Sequence, residues 1–265
     1  MKFALIGGNH PRHLYYLNAI TDSLDVVGAL IEWRENILPN PPERLSRHDE
    51  YNWLLHFGNR ADKEREYFGD PGLPQLRKVM TTHPATLNRP QCADFIQSLK
   101  PDAVLVFGSG MIRPPLYDVL PLHTYNMHLG LSPRYRGAAT LFWPQYFLEP
   151  AWAGVTFHRI VHEPDAGDVV HQCRPSLMAS DTIHDVACTA VKVATEEAFD
   201  LFSKLDATGD LTTHKQTATG KNFLASDFQP AHLRQIYDVW DDRIAAAYLN
   251  GEIEQREPKM YQQVF

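Results

Sequence analysis

The sequence predicts an α/β protein with a Rossmann-like, mostly parallel sheet and a small C-terminal subdomain. The first apolar run, Lys2–Gly8, ends in two glycines, which is typical of a buried parallel strand and the turn after it. A predicted helix beginning at Pro11 follows, and a second apolar run covers Leu24–Trp33. Strand, helix and strand at this spacing form a βαβ unit, which requires a parallel sheet. Ala103–Gly110 is the clearest buried strand and also ends in a glycine turn.

The remaining elements follow in chain order. Residues 34–74 are polar and aromatic and too long for a simple connection, so we expect a partly helical insertion that covers another part of the protein. Pro144 should interrupt or bend one of the later helices, and Ser180 or Asp181 should cap the longest one. Strands are predicted at 75–82, 123–130, 153–161 and 168–175, and helices at 91–100, 138–149 and 180–205. We expect a catalytic domain at 1–208 and a C-terminal subdomain at 209–265.

Size and composition narrow the class of protein. A chain of 265 residues fits one large domain, or a core domain with an appendage, and can bury a core without disulfides or metals. The net charge of −7 disfavours a nucleic-acid partner, which needs a basic surface. The N-terminal apolar run is too short for a signal peptide or a membrane span. Three widely spaced cysteines, an odd number without a CxxC pair, suggest free buried thiols. We therefore expect a cytoplasmic protein with no membrane partner.

Two polar side chains on one predicted strand are the first candidates for catalysis. Asn126 and His128 are two residues apart, so both point to the same face near the carboxyl end of a parallel strand, where ligands gather. Asp165 lies in a loop between two later strands, from which its carboxylate could reach His128. An Asn can donate to a developing oxyanion, a His can relay a proton, and an Asp can orient the His. Together they predict acyl transfer without a covalent nucleophile.

The ordered motifs resemble the formyltransferase family that uses 10-formyltetrahydrofolate. They are Asn-x-His at Asn126, Pro-x-Tyr-Arg-Gly at Pro133, Gly-Val-Thr-x-His-Arg at Gly154 and Asp-x-Gly at Asp165. The match is good over residues 103–172 and looser over the first βαβ unit. The resemblance implies a formyltransferase fold and catalytic roles for Asn126, His128 and Asp165. One departure is Gly130, where the family often has Ser.

The same resemblance assigns the binding residues, and no metal is expected because the histidines lack a ligand spacing such as HExxH. His158 matches a second recurring His of the family, and Arg136 is expected to shape the loop after the catalytic strand. The predicted residues for 10-formyltetrahydrofolate are Phe107, Gly108, Met111, Ile112, Glu163 and Asp165, and those for the acceptor are Gly8, Asn9, His10, Tyr135, Arg136 and His158.

Several acceptors and one other reaction stay open at this point. The favoured acceptor is a primary amine on the sugar of a nucleotide-linked sugar, and the alternative is an amino-acid side chain such as that of hydroxyornithine. A transfer RNA is disfavoured because the chain is acidic and ends before the C-terminal barrel domain of that branch. Formyltetrahydrofolate hydrolases, which resemble the same core, use water as acceptor. A non-catalytic nucleotide-binding module is disfavoured because all three catalytic residues are present, and a homodimer is one candidate assembly.

Overall fold

A central seven-stranded sheet organises the protein in the computed structural model, which describes residues 1–34, 36–217 and 220–265. The strands of this sheet are β1 (Phe3–Gly8), β2 (Val26–Glu32), β3 (Val79–Thr82), β4 (Ala103–Phe107), β5 (His123–Leu129), β7 (Val155–Arg159) and β8 (Val169–Cys173). Their order is β3-β2-β1-β4-β5-β7-β8; the first five run parallel, and β7 is antiparallel to both of its neighbours. The predicted α/β fold with a mostly parallel sheet is confirmed.

Helices cover both faces of this sheet because apolar side chains alternate along its inner strands. Phe3 and Leu5 of β1 belong to one apolar cluster and Ala4 and Ile6 to another. The helices are α1 (Pro11–Ser23), α2 (Arg47–Phe68), α3 (Pro90–Leu99), α4 (Trp143–Tyr146), α5 (Ile183–Thr208) and α6 (Ile244–Leu249). Residues of α1 and α5 complete the first cluster, and residues of α3 complete the second. Both faces of the inner strands are therefore buried.

Two helix predictions are wrong in detail. The helix expected at 138–149 is only the four-residue α4, because Pro144 has no N–H to bond to the preceding turn and so stands at the start of a helix. The cap of α5 is Thr182 rather than Ser180 or Asp181. Thr182 Oγ1 accepts a hydrogen bond from Asp185 N, and the Asp185 carboxylate accepts one from Thr182 N. This reciprocal pair satisfies two backbone donors that the predicted caps leave open.

The predicted insertion at 34–74 contains the 22-residue helix α2; within that span, residue 35 lies outside the described residues. Ser46 Oγ caps the helix by accepting a hydrogen bond from Asp49 N, and Gly69, with φ of +69°, ends it. Helix α2 packs against α1 and α5. Helix α2 thus covers parts of two other helices, and the assignment of residues 34–74 as an insertion stays a prediction.

The C-terminal segment folds back onto the body of the protein. Its strand β9 (Lys221–Phe223) pairs with β6 (Tyr135–Gly137) in a two-stranded parallel sheet. Near the end of the chain, Tyr261 O accepts a hydrogen bond from Gln172 N of β8. Residues 218 and 219 of the predicted subdomain lie outside the described residues, and the boundary at 208/209 stays a prediction.

The order of the strands places a ligand site between β1 and β4. From β1 the chain builds outward to β2 and β3, then returns to form β4 on the other side of β1. Helix α1, which follows β1, and helix α3, which precedes β4, lie on opposite faces of the sheet, and a crevice is expected outside the carboxyl ends of these strands. Across the described residues, no helix is long and apolar enough to cross a membrane.

Candidate active site

A cavity of about 580 Å³ occupies this crevice. Its volume lies in the usual range for small-molecule sites. The ends of β4 and β5 line it together with the loop after β7, the first turns of α1 and α5, and one side of α2. Asn126, His128, His158 and Asp165 all contribute to the lining, so the residues predicted for catalysis share one cavity.

Strand pairing brings three of these residues together. Asn126 and His128 lie on the face of β5 opposite to Tyr125 and Met127, which are buried in the core. In the register of β5 with β7, Asn126 is directly opposite His158. Asn126 Nδ2 lies 3.3 Å from His158 Nε2. The agreement of alternation and register explains why residues 32 positions apart meet at one point.

Asp165 completes the cluster from the loop that follows β7. Its Oδ1 is 3.4 Å from His128 Nδ1, 3.3 Å from His158 Nε2 and 3.5 Å from Asn126 Nδ2. Its Oδ2 accepts a hydrogen bond of 2.9 Å from Gly137 N. One carboxylate oxygen therefore faces both imidazoles and the amide, while the other is held by the backbone of β6.

The loop is fixed from two sides. Arg136 Nη2 donates to Glu163 Oε1 at 2.9 Å and to Pro164 O at 2.6 Å, immediately before Asp165. Gln216 Nε2 donates to Asp165 O at 2.8 Å and to Gly167 O at 2.7 Å. Asp165 itself adopts a φ of +49°, a conformation that Asp tolerates better than most residues. These bonds hold its carboxylate toward the two imidazoles.

Backbone carbonyls fix which imidazole nitrogen faces Asp165. His128 Nε2 donates to Tyr135 O at 2.9 Å, and His158 Nδ1 donates to Arg159 O at 2.9 Å. In the neutral imidazole the other nitrogen carries a lone pair, and in both rings that nitrogen faces Asp165 Oδ1. Two lone pairs directed at a carboxylate repel it, whereas an added proton creates a charge-assisted hydrogen bond. The cluster is therefore arranged to accept one proton.

Burial and charge act in opposite directions on these groups. Burial lowers the pKa of His128 by more than the nearby Asp165 raises it, and His158 lowers it further. For Asp165, burial opposes ionisation, but the positive forms of His128 and His158 and the Gly137 N–H hold its pKa well below its usual range. The carboxylate is thus ionised at neutral pH, while His128 is poised to gain a proton when negative charge develops beside it.

These shifts predict an acid-sensitive fold. The unfolded chain protonates His128 near pH 6.5, before the folded protein does, so stability should fall as the pH drops below about 6.5. Ionised Asp165 contributes fully to stability above about pH 3.9, its pKa in the unfolded chain. This contribution is lost as the pH falls through the lower pKa that Asp165 has in the folded protein. Urea midpoints between pH 7 and pH 3 would test this. The double variant His128→Ala/Asp165→Asn lacks both groups and should lose less stability than the wild type over this range, and an equal loss would contradict the assignment.

Gly130, the departure from the resembling family, has a structural reason. Its φ is +146°, and a Cβ there would lie 2.6 Å from Tyr135 O and 2.8 Å from His128 Nε2. Those are the two atoms of the hydrogen bond that sets the His128 tautomer. A side chain at 130 would therefore push this pair apart, and glycine is needed next to the catalytic strand.

Gly130→Ala is accordingly expected to lower kcat by about tenfold or more by displacing His128, on the scale of a weakened catalytic hydrogen bond. The matched control is Gly58→Ala, because Gly58 is in α2 and a Cβ there meets nothing within 4 Å. Steady-state kinetics of both variants, with circular dichroism as a check of folding, would decide. Normal kcat in Gly130→Ala would show that the contact with Tyr135 O does not orient His128.

The residues predicted to bind the folate all line this cavity. They are Phe107, Gly108, Met111, Ile112, Glu163 and Asp165. Ile112 is buried in the apolar cluster beneath α3, whereas Met111 is 40% exposed at the rim. Further apolar lining comes from Val106, Ile160 and Val161. The folate role of these residues stays a prediction, and their common location is compatible with it.

The residues predicted to bind the acceptor are more scattered. His10 and His158 line the cavity, but Gly8, Asn9, Tyr135 and Arg136 are not among its described lining. A Cβ on Gly8 would lie 2.4 Å from His13 Nδ1, so this glycine makes room for an imidazole. Asn9 Oδ1 accepts from Arg34 N, and Tyr135 Oη donates to Glu149 Oε2. These four residues support neighbours that line the site, and direct contact with the acceptor stays a prediction for them.

The reading of the sequence missed Arg34, Ser109 and Thr140, which line the cavity from loops, and five polar lining residues on helices. The five are Arg12, His13, His56, Arg60 and His184, from the first turns of α1 and α5 and from α2. The available signal was the spacing of His56 and Arg60, four residues apart on one face of a predicted covering helix. Three aromatic residues lie nearby on the same helix. Of these, Phe57 lines the cavity, Trp53 is buried beside it, and Tyr51 is 62% exposed.

No group of three or more His, Cys, Asp or Glu side chains that could hold a metal ion occurs within 1–34, 36–217 and 220–265. The three cysteines are free and buried, as expected.

Comparison with known proteins identifies the family. A sequence model described as formyl transferase matches residues 48–199, more than half of the chain. The chain belongs to the formyl transferase family. A methionyl-tRNA formyltransferase from Thermotoga neapolitana is 29% identical to it over 197 residues, which is 69% of this chain and 60% of that protein. The chain thus spans about 60% of the length of this curated relative.

Solved structures share the fold of this formyl transferase. A 4-N formyltransferase from Francisella tularensis has a TM-score of 0.56 at 17% identity, covering 86% of this chain and 78% of the other. The formyltransferase PseJ from Anoxybacillus kamchatkensis, in complex with UDP-4,6-dideoxy-4-formamido-L-AltNAc and tetrahydrofolate, has a TM-score of 0.52 at 17% identity. The match covers 93% of this chain and 97% of PseJ. At such identities the likeness establishes the fold alone.

Proposed function

We propose that this formyl transferase moves the formyl group of 10-formyltetrahydrofolate to the primary amine of a small acceptor, an amino sugar of a nucleotide-linked sugar. The observation that carries the reaction type is the cluster of Asn126, His128, His158 and Asp165 in one cavity, with its imidazole tautomers fixed by backbone carbonyls. The rest of the cavity must hold two molecules, a donor and an acceptor.

The chemistry needs an oxyanion donor and a place for one proton. When a neutral amine attacks a formyl carbon, its lone pair forms the new C–N bond and the carbonyl oxygen becomes an oxyanion. Asn126 Nδ2 donates to that oxygen, since its described partners, His158 Nε2 at 3.3 Å and Asp165 Oδ1 at 3.5 Å, are both long contacts. The C–N bond to N10 then breaks, and N10 takes up a proton.

His128 and Asp165 manage this proton. The attacking amine nitrogen becomes positively charged as it forms the new bond, and it loses one proton to Nδ1 of the neutral His128. The Asp165 carboxylate lies 3.4 Å from that nitrogen of His128 and stabilises the imidazolium. The positive ring in turn stabilises the oxyanion and later returns the proton to the leaving N10. His158 holds the carboxylate from its other side, 3.3 Å from the same oxygen. No covalent intermediate with the protein is needed.

The apolar part of the cavity fits a folate ring. When bound, 10-formyltetrahydrofolate supplies the formyl group, and Met111, Ile112, Val106, Ile160 and Val161 offer apolar walls for its flat pterin. The backbone of 108–112 runs along the same part of the cavity and offers amide and carbonyl groups to the ring edge.

The choice of a sugar acceptor rests on the helical insertion and on the neighbours. Helix α2 adds Phe57 and Arg60 to the lining, beside Phe142 and Phe228, and so gives the acceptor part both aromatic and cationic walls. PseJ, with its UDP-sugar and tetrahydrofolate, has a similar fold over 93% of this chain. The net charge of −7 argues against a transfer RNA as acceptor.

The deciding experiment measures tetrahydrofolate release from 10-formyltetrahydrofolate with and without a panel of amines. The panel contains nucleotide-linked 3-amino and 4-amino sugars, hydroxyornithine, ornithine and glycinamide ribonucleotide. Release that depends on an amino sugar is expected, and mass spectrometry should detect the added formyl group on that sugar. Release with hydroxyornithine alone would replace the sugar with an amino-acid acceptor. Release without any amine would indicate a hydrolase.

A further inference from the structure

Two arginines from different helices meet on one buried carboxylate at the wall of the cavity. Arg12 of α1 donates to Glu64 Oε1 through Nε at 2.8 Å and Nη2 at 2.5 Å. Arg60 Nε of α2 donates to the same oxygen at 3.0 Å. Both arginines line the cavity, whereas Glu64, with a fully buried side chain, is not among the described lining. The carboxylate thus lies behind the two guanidinium groups and fixes their positions.

Hydrogen-bonding side chains surround these arginines. His13, His56 and His184 line the same part of the cavity, and burial lowers the pKa of each. They are therefore neutral and able to donate without adding charge. His13 Nδ1 is buried and has no hydrogen-bond partner within the described residues, although its ring is confined between Gly8 and Gly108.

The acidic side chains of the cavity lie on a different wall from these two arginines. Glu163 and Asp165 are the acidic lining residues among those described, and both belong to the loop after β7 that carries the catalytic carboxylate. The guanidinium groups of Arg12 and Arg60 come instead from α1 and from α2, the helix of the insertion, while that of Arg34 follows β2 and lies 3.3 Å from Glu32 Oε2. Planar guanidinium groups bind phosphate and carboxylate oxygens through paired N–H donors, and do so best where water is excluded.

We propose that Arg12 and Arg60, held in place by Glu64, form the subsite that binds an anionic group of the acceptor. This inference rests on the proposed function, because it assigns one part of the same cavity to the amine substrate. Both candidate acceptors carry an anionic group with oxygen atoms. In a nucleotide-linked sugar this group is the phosphate, and in an amino acid it is the carboxylate. On this assignment the insertion is the element that selects a charged acceptor.

The test uses the full chain and simple anions. Isothermal titration would measure the binding of inorganic phosphate, pyrophosphate and acetate at matched ionic strength, in the wild type and in Arg60→Gln. The matched control is Arg65→Gln, because Arg65 is on the same helix, its side chain is 75% exposed, and it does not line the cavity. Arg60→Gln is expected to weaken binding of the preferred anion about tenfold or more, as for the loss of a charge-assisted hydrogen bond, and Arg65→Gln should leave it unchanged.

The anion that binds most tightly indicates which kind of acceptor the subsite takes. Preference for pyrophosphate points to a nucleotide-linked acceptor, and preference for acetate points to an amino acid. Absence of anion binding in the wild type, or equal binding in Arg60→Gln and Arg65→Gln, overturns the subsite. Should Arg60→Gln fail to fold, Arg60→Lys keeps the charge but loses the planar pair of donors, and undiminished anion binding in that variant would also overturn it.

The same variants distinguish this inference from the formyl transfer itself. With an acceptor found in the amine panel, Arg60→Gln should raise the KM for that acceptor and leave the KM for 10-formyltetrahydrofolate unchanged. Normal formyl transfer without an effect of Arg60 on acceptor KM contradicts the subsite alone. Arg60-dependent anion binding without formyl transfer to any amine contradicts the proposed reaction alone.

Discussion

Asn126→Ala and His128→Ala are each expected to lower kcat by about 10²–10³-fold, the effect of losing one oxyanion donor or its equivalent. Asn126 Nδ2 and His128 Nδ1 both converge on Asp165 Oδ1, so either change removes a group at the reacting centre. The measurement is single-turnover formyl transfer to the acceptor that the amine panel identifies. A double variant should lose less than the product of the two effects, because the two groups act on the same transition state.

The control for this pair is His123→Ala. His123 is on the same strand, its side chain lies on the other face of β5 from His128, and it does not line the cavity. Its kcat should therefore be close to that of the wild type. Near-normal turnover in Asn126→Ala and His128→Ala would remove the assignment of the cluster as the catalytic centre.

Much of the catalytic cluster could be predicted because it follows from periodicity. Alternation along β5 places Asn126 and His128 on one face, and the turn between β7 and β8 returns the Asp165 loop to the same edge. What the sequence leaves out is the fixed tautomer of each imidazole. That depends on the carbonyls of Tyr135 and Arg159, and main-chain acceptors carry no signature in the residue types.

The acceptor part of the cavity was harder to predict for another physical reason. Arg12 and Arg60 are 48 positions apart on helices whose packing is decided by tertiary contacts, and a charged helix face normally indicates solvent exposure. A buried charge indicates something else. Arg12 is 8% exposed, and a buried guanidinium needs an ionised partner. Glu64 is the partner, and no periodic pattern marks it as buried. The same limit applies to Gly8, whose missing side chain leaves room for the His13 imidazole.

Glu64→Gln is expected to have the largest effect on stability, lowering the free energy of unfolding by about 3–5 kcal/mol, the range for removing one member of a buried ion pair. Burial opposes ionisation of Glu64, but Arg12 and Arg60 lower its pKa to about 2. The amide would leave the buried Arg12 guanidinium without a compensating charge. Urea unfolding at pH 7 measures the loss. The control is Glu66→Gln on the same helix. The Glu66 side chain is 63% exposed and pairs with Lys63, so this change should affect stability little.

The dependence of this loss on pH tests its electrostatic origin. Ionised Glu64 contributes fully to stability above about pH 4.3, its pKa in the unfolded chain. This contribution disappears as the pH falls through about 2, the pKa of Glu64 in the folded protein. The wild type and Glu64→Gln should therefore differ fully at pH 5 and converge as the pH approaches 2. A difference that persists unchanged at the lowest pH at which both proteins fold would assign the effect to packing instead. Convergence would show that the charge of Glu64 holds the two arginines at the cavity wall, which the binding of an anionic acceptor requires.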